Sequence, residues 1–400
     1  MIKITERIKE VEYAIRDIVS QAKIYEKKGH KITYLSIGDP VKYGFSMPQH
    51  VIDAIKKAID QNINYYVASE GIQELRESIA EYENNKSNIS LLDEDILITA
   101  GVSEGILFTF AGMLESKDEI LIPGPSYPPY SSYAKFFGAK VVEYELSEDD
   151  AWQPNIDDIR KKMNENTRLI LIISPNNPTG TIYSEKQIKE ILDIAGEYDI
   201  PVMSDEIYDV LSYNEKVVNP ATLSKDVPII GLNGFSKAFL MTGWRLGYIY
   251  YYDPVEKLTE LKENIERLAR VRLCVNAPAQ FAAIAALKGS KEYLNEFRRE
   301  LKNRSEYIWK RLNDIPLISA VKPRGAFYIF PKIELKNYWK NDMEFTLDFL
   351  KEKKVLLVYG SGFGKKFGKD HVRIVFLAKQ DILEASMDKL ESFIYEKIRK

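Results

Sequence analysis

The feature that most constrains this chain is a set of short, almost continuously apolar runs separated by segments of helical periodicity. Ile96-Leu97-Ile98, Glu119-Ile120-Leu121-Ile122, Leu169-Ile170-Leu171-Ile172-Ile173 and Pro228-Ile229-Ile230 lack the polar alternation of a half-exposed strand. Such runs read as strands buried on both faces. Between them, Ser184 to Tyr198 carries Ile188, Ile191, Leu192 and Ala195 at helical spacing, with Ser184 placed to cap. Strand, helix, strand over the middle of the chain predicts an α/β architecture with a mainly parallel sheet. After Pro278 the pattern changes to long charged amphipathic helices, with strand-like runs at Ala326 to Phe330 and Val372 to Leu377 and a final helix from about Asp381. That portion reads as a second, α+β domain, and no repeat or low-complexity linker divides the two.

The 400 residues exceed the usual single domain, so one large and one smaller domain are expected. The 56 basic and 59 acidic residues are interspersed and leave a net charge of −3, which gives no footprint for nucleic acid or an anionic membrane. Small molecules are the expected partners. Met1 to Arg7 has no apolar signal region, and no later run approaches the ~18 residues of a membrane span, so a cytoplasmic protein is expected. Cys274 is the only cysteine, which leaves no internal disulfide or cysteine metal site and assigns it to core packing. His30, His50 and His371 fit no metal spacing, so no metal is expected.

In a sheet of this kind the ligand crevice lies beyond the carboxyl ends of the strands. Four such segments carry chemistry-bearing residues. One is Gly234-Phe235-Ser236-Lys237-Ala238-Phe239, followed by Met241-Thr242-Gly243-Trp244-Arg245-Leu246-Gly247. Alone, its lysine reads as a solvated surface charge. Met203-Ser204-Asp205-Glu206-Ile207-Tyr208 ends an apolar run in an acid whose burial is costly without a cation, or else caps a helix. Ser174-Pro175-Asn176-Asn177-Pro178-Thr179-Gly180 is a turn cluster, and Thr99-Ala100-Gly101-Val102-Ser103-Glu104-Gly105 a helix start whose N–H groups suit a phosphate.

Together these segments resemble the class I and II aminotransferases, the pyridoxal-5′-phosphate (PLP) enzymes of fold type I, most closely the alanine aminotransferases. Asn177-Pro178-Thr179-Gly180, Asp205-Glu206-Ile207-Tyr208 and Ser236-Lys237 stand in the family's order, and the likeness runs from about Tyr13 to the last helix. The resemblance implies a large domain over residues 46–283 with a mainly parallel seven-stranded sheet. Residues 1–45 and 284–400 then form the small domain and an N-terminal arm. It implies that Lys237 carries PLP as a Schiff base and serves as general base, which suits an amine. Asp205 matches the anion that keeps the pyridine nitrogen protonated, while Asn177 and Tyr208 match the donors to the phenolic oxygen. Val102, Ser103, Ser236 and Arg245 match the phosphate ligands, and Tyr127 matches the aromatic residue stacked on the ring. Tyr66 matches a tyrosine that reaches the neighbouring subunit's phosphate, which implies a homodimer. Arg373 matches the forked donor to the substrate α-carboxylate, and Gly38 the backbone that approaches it.

The likeness to the alanine group rests on Gly38-Asp39-Pro40 with Tyr43-Gly44-Phe45, on Arg272 to Gln280, and on Val321 to Ala326. Tyr13-Ala14-Ile15-Arg16 is similar to that group's arm over the active site. Arg16 then meets the distal carboxylate of glutamate or 2-oxoglutarate, or else is a solvated helix arginine. Tyr359 departs from the family, which often has proline there. The implied reaction moves the amino group of L-alanine to 2-oxoglutarate by a ping-pong mechanism. An aspartate or broad-specificity aminotransferase and a PLP lyase of the same fold remain alternatives. A nucleotide-dependent oxidoreductase would need a Gly-x-Gly-x-x-Gly that is missing, and a regulator of this fold would need a DNA-binding domain for which the N-terminus leaves no room.

Overall fold

The computed structural model describes Ile2, residues 4–336 and residues 338–399. An eight-stranded sheet forms its centre, built from β1 (Ile96–Thr99), β2 (Glu119–Gly124), β3 (Lys140–Ser147), β4 (Gln153–Pro154), β5 (Thr167–Ile173), β6 (Val202–Asp205), β7 (Ile229–Gly234) and β8 (Gly247–Tyr252). Their spatial order is β1-β8-β7-β6-β5-β2-β3-β4. Strands β3, β2, β5, β6 and β7 run parallel, and β8 lies antiparallel between β7 and β1. The sheet thus has one strand more than the seven expected. The smallest, β4, is a two-residue antiparallel edge on Leu146 and Ser147, and its Pro154 and brevity hide it from a search for apolar runs.

Alternation along β5 explains why its residues are apolar throughout. Leu169, Leu171 and Ile173 pack with Ile106, Phe110 and Ile265 on one face, while Ile170 and Ile172 pack with Ile188, Ile191 and Ala195 on the other. Ser184 accepts the Gln187 N–H at 3.3 Å and starts the helix Glu185–Glu197 as its sequence predicts.

The C-terminal part carries an antiparallel sheet of Tyr328–Ile329, Val372–Val375 and Val358–Tyr359, with the helices Glu292–Asn313, Asp342–Lys353 and Gln380–Ile398. Thr33–Tyr34 pairs in parallel with Val355–Leu356, so the early segment is built into the late one. The strand expected over Ala326 to Phe330 shortens to Tyr328–Ile329, because Ala326 has a left-handed φ of +57° that breaks the extended run. Cys274 corrects the core assignment. It is half-buried in the link between the helices Thr259–Arg272 and Ala277–Lys288, next to the exposed Leu273. Among the described residues no helix is long and apolar enough to cross a membrane.

Candidate active site

A cavity of about 600 Å³ opens at the carboxyl ends of the parallel strands. Every expected site residue except Tyr66 lines it: Tyr13, Arg16, Gly38, Val102, Ser103, Tyr127, Asn177, Asp205, Tyr208, Ser236, Lys237, Arg245 and Arg373. The sheet order makes this inevitable, since Ser103, Tyr127, Asn177, Asp205 and Lys237 follow or end β1, β2, β5, β6 and β7, whose carboxyl ends share one edge. Tyr66 is 79% exposed in the single chain and lies outside the cavity. Tyr359 is also absent from the lining.

Lys237 is a buried amine whose Nζ donates to the Gly38 carbonyl at 2.7 Å. Burial lowers its pKa to about 8, an effect opposed by Asp39 and reinforced by Arg373 and Arg245. Asp205 is 4% exposed and has no ion-pair partner among the described residues. Its carboxylate accepts the Tyr130 hydroxyl at 2.7 Å and the Ile207 N–H at 3.2 Å, yet burial still raises it to about 6. The Tyr208 hydroxyl lies 2.7 Å from that of Tyr328.

Arg373 is 1% exposed, and its guanidinium reaches no carboxylate among the described residues. It donates to Asn177 Oδ1 at 3.0 Å and the Ser36 carbonyl at 2.6 Å, while Nε has no hydrogen-bond partner among the described residues. A buried cation left this way favours an incoming anion. The rings of Tyr328 and Phe363 hold it at 4.7 and 4.9 Å. Gly38 is required beside it, because a Cβ there would stand 2.3 Å from the Tyr328 hydroxyl.

At the start of the helix Val102–Met113, Gly101 has φ +80° and leaves the first N–H groups free of helical partners. Arg245 donates to the carbonyls of Ala100 at 3.2 Å and Thr242 at 3.1 Å, adding a guanidinium to that helix start. A Cβ on Gly101 would lie 2.5 Å from Arg245 Nη2. The cradle suits a phosphate. Over the cavity mouth, Tyr13 places its hydroxyl 3.1 Å from that of Tyr127. Arg16 is exposed there and has no side-chain partner among the described residues.

The model of the class I and II aminotransferase family matches residues 30–387. The chain belongs to that family. It is 37% identical to the glutamate-pyruvate aminotransferase AlaA of Escherichia coli (strain K12), over 98% of this chain and 97% of that protein. It is 35% identical to an alanine aminotransferase of Mycobacterium tuberculosis (strain ATCC 25618 / H37Rv), over 97% and 91%. A solved alanine aminotransferase from Pyrococcus furiosus superposes with a TM-score of 0.96 at 54% identity, covering 98% of this chain and all of that one.

This aminotransferase is a transaminase of fold type I, and its cofactor is PLP. The cavity fits that group in three ways: a buried carboxylate without a cation, a buried amine of lowered pKa, and an arginine beside free helix N–H groups. Two further residues of the aminotransferase were missed in the sequence. Tyr130 donates to Asp205, and Tyr328 meets the Tyr208 hydroxyl while its ring lies against Arg373. Tyr130 lies in the first turn of the helix Pro128–Phe136, after the extended N-cap Tyr127, and nothing in its local spacing ties it to Asp205. Tyr328 sits in an apolar strand-like run and gives no signal either.

Proposed function

We propose that this enzyme transfers the amino group of L-alanine to 2-oxoglutarate, giving pyruvate and glutamate in two half-reactions at one site. The observation that carries the reading is the buried, acid-free guanidinium of Arg373 in the same cavity as Lys237 and Asp205. The names of the alanine-using relatives support the donor. PLP, when bound, supplies an aldehyde that condenses with amines and a ring that stores an electron pair.

The chain's own residues do the rest. Arg373 binds the α-carboxylate with its forked N–H groups. Lys237 Nζ would carry the cofactor and, once freed by the substrate, would take and return the α-proton. Asp205 would hold the proton on the pyridine nitrogen, while Asn177 and Tyr208 would donate to the phenolic oxygen. Tyr127 would pack against the ring, and Val102, Ser103, Ser236 and Arg245 would bind the phosphate. Tyr13 and Arg16 cover the mouth, where the free Arg16 guanidinium meets the distal carboxylate of the five-carbon acids.

Residues 46–283 form the large PLP-binding domain in this reading, with 1–45 and 284–400 as the small domain and arm. The enzyme acts as a homodimer in which Tyr66 reaches the partner's phosphate. Exposed apolar side chains support this: Tyr65, Tyr66, Val271 and Leu273 are all uncovered in the single chain. The near-neutral, cysteine-poor composition supports a cytoplasmic site.

Stopped-flow loss of the cofactor's visible absorbance tests the donor. Alanine is expected to react more efficiently than aspartate, by a modest factor because a methyl group offers little contact area. Higher efficiency with aspartate would overturn the alanine assignment.

A further inference from the structure

The segment Asp205–Asp209 faces two ways. Asp205 and Tyr208 line the catalytic cavity, whereas Glu206 and Asp209 line a separate cavity of about 610 Å³. Behind them, Glu83 completes a group of three carboxylates whose oxygens lie within 4.8 Å of one another. The group resembles a metal site, but a side-chain cation already fills it. Lys86 Nζ lies 2.5 Å from Glu83 Oε2 and 4.0 Å from Glu206 Oε2, and it is paired with Asp209. No other Lys or Arg forms an ion pair with these three acids among the described residues. Lys216, Arg298, Arg299 and Lys302 line the same cavity without pairing with these acids, and Lys291 shares the Tyr82 ring with Lys86.

Neutral donors bind the same carboxylates to the neighbouring strands. Tyr248 donates to Glu83 and Tyr250 to Glu206, both at 2.5 Å, and both come from β8. Asn233 of β7 donates to Asp209 at 3.0 Å, and Asn219 to Glu206 at 3.0 Å. Burial pushes Glu83 and Glu206 upward, so three acids crowded here depend on the one ammonium. The cluster therefore clamps the loop bearing Asp205 and Tyr208 to the strand that leads into Ser236 and Lys237.

We propose that Lys86 is a positioning residue for transamination, fixing Asp205 and Tyr208 through Glu206 and Asp209. It rests on the cofactor placement proposed above. Arg373 lies on a separate strand and touches the cluster's loop only through the Tyr328 ring, while Asn177 and the Ser36 carbonyl hold its guanidinium, so the larger predicted defect is in rate rather than in substrate binding. In the PLP-loaded enzyme, Lys86→Met should slow the alanine half-reaction by about ten- to a hundred-fold, with half-saturating alanine changed by less than about twofold. It should also move the pH midpoint of the cofactor's visible absorbance upward, because a displaced Tyr208 hydroxyl no longer favours the phenolate. Asp209→Asn keeps the volume and leaves Lys86 on Glu83, and should shift the midpoint the same way by less. This isosteric variant decides the matter if Lys86→Met does not fold. Tyr208→Phe is the control, and an unmoved midpoint there means that the cofactor placement is wrong. If Tyr208→Phe moves it while neither cluster variant does, the cluster supports the fold alone and the inference is overturned.

Discussion

Asp205 keeps two hydrogen bonds, from Tyr130 and Ile207, and its carboxyl is still raised to about 6. An unfolded aspartate titrates near 3.9, so the folded state binds the extra proton between those values. The stability this provides is complete below about pH 4 and is lost as the pH rises through about 6. The cofactor-free Asp205→Asn variant should therefore be more stable than the parent at pH 7.5, by on the order of 1–3 kcal/mol, with a smaller gap at pH 5. With PLP bound the order should reverse, and transamination should fall by orders of magnitude. Urea melts with and without PLP read both effects. A less stable cofactor-free variant at pH 7.5 would contradict the burial argument. Lys237 runs the other way: its lowered pKa gives stability that is present above about 10.4 and lost as the pH falls through about 8.

At the scale of elements, the strand Val372–Val375 delivers Arg373 and the N-terminal helix Ala14–Lys27 delivers Arg16. Arg373→Ala should impair alanine, glutamate and both oxo acids alike, by roughly a hundredfold or more, since all share the α-carboxylate. Arg16→Ala should weaken glutamate and 2-oxoglutarate while leaving alanine nearly unchanged. Half-reactions measured with each substrate separately distinguish these outcomes, and an equal loss for alanine in Arg16→Ala would remove its assigned role. Strand ends were the legible part of the sequence, because Asn177, Asp205 and Lys237 each follow or end an apolar run. The capped helix after Ser184 was legible for a similar local reason. Tyr130 and Tyr328 were not, since their hydroxyls meet Asp205 and Tyr208 across 75 and 120 residues. Nor was β8, where Tyr248 and Tyr250 bury polar tips on acids that a reading of apolar runs passes over.

For the whole molecule, the exposed Tyr66 makes a test of shared sites. Co-expressed Tyr66→Ala and Lys237→Ala chains, each nearly inactive alone, should form hybrids with one intact site. At equal amounts and random pairing this restores about a quarter of the parent activity. Complete absence of recovery in confirmed hybrids would place Tyr66 outside the partner's site. The meeting of Ser36, Asn177 and Arg373 has a different reach, because the Ser36 and Arg373 partners lie 337 residues apart. Arg373 is added to the growing chain 128 residues after Arg245. At about 5–20 residues per second this is a delay of roughly 6–25 s. Every phosphate and ring contact assigned within one chain has been synthesised before that interval begins. A message cut short within it encodes the residues of those contacts but not the guanidinium that receives an amino acid.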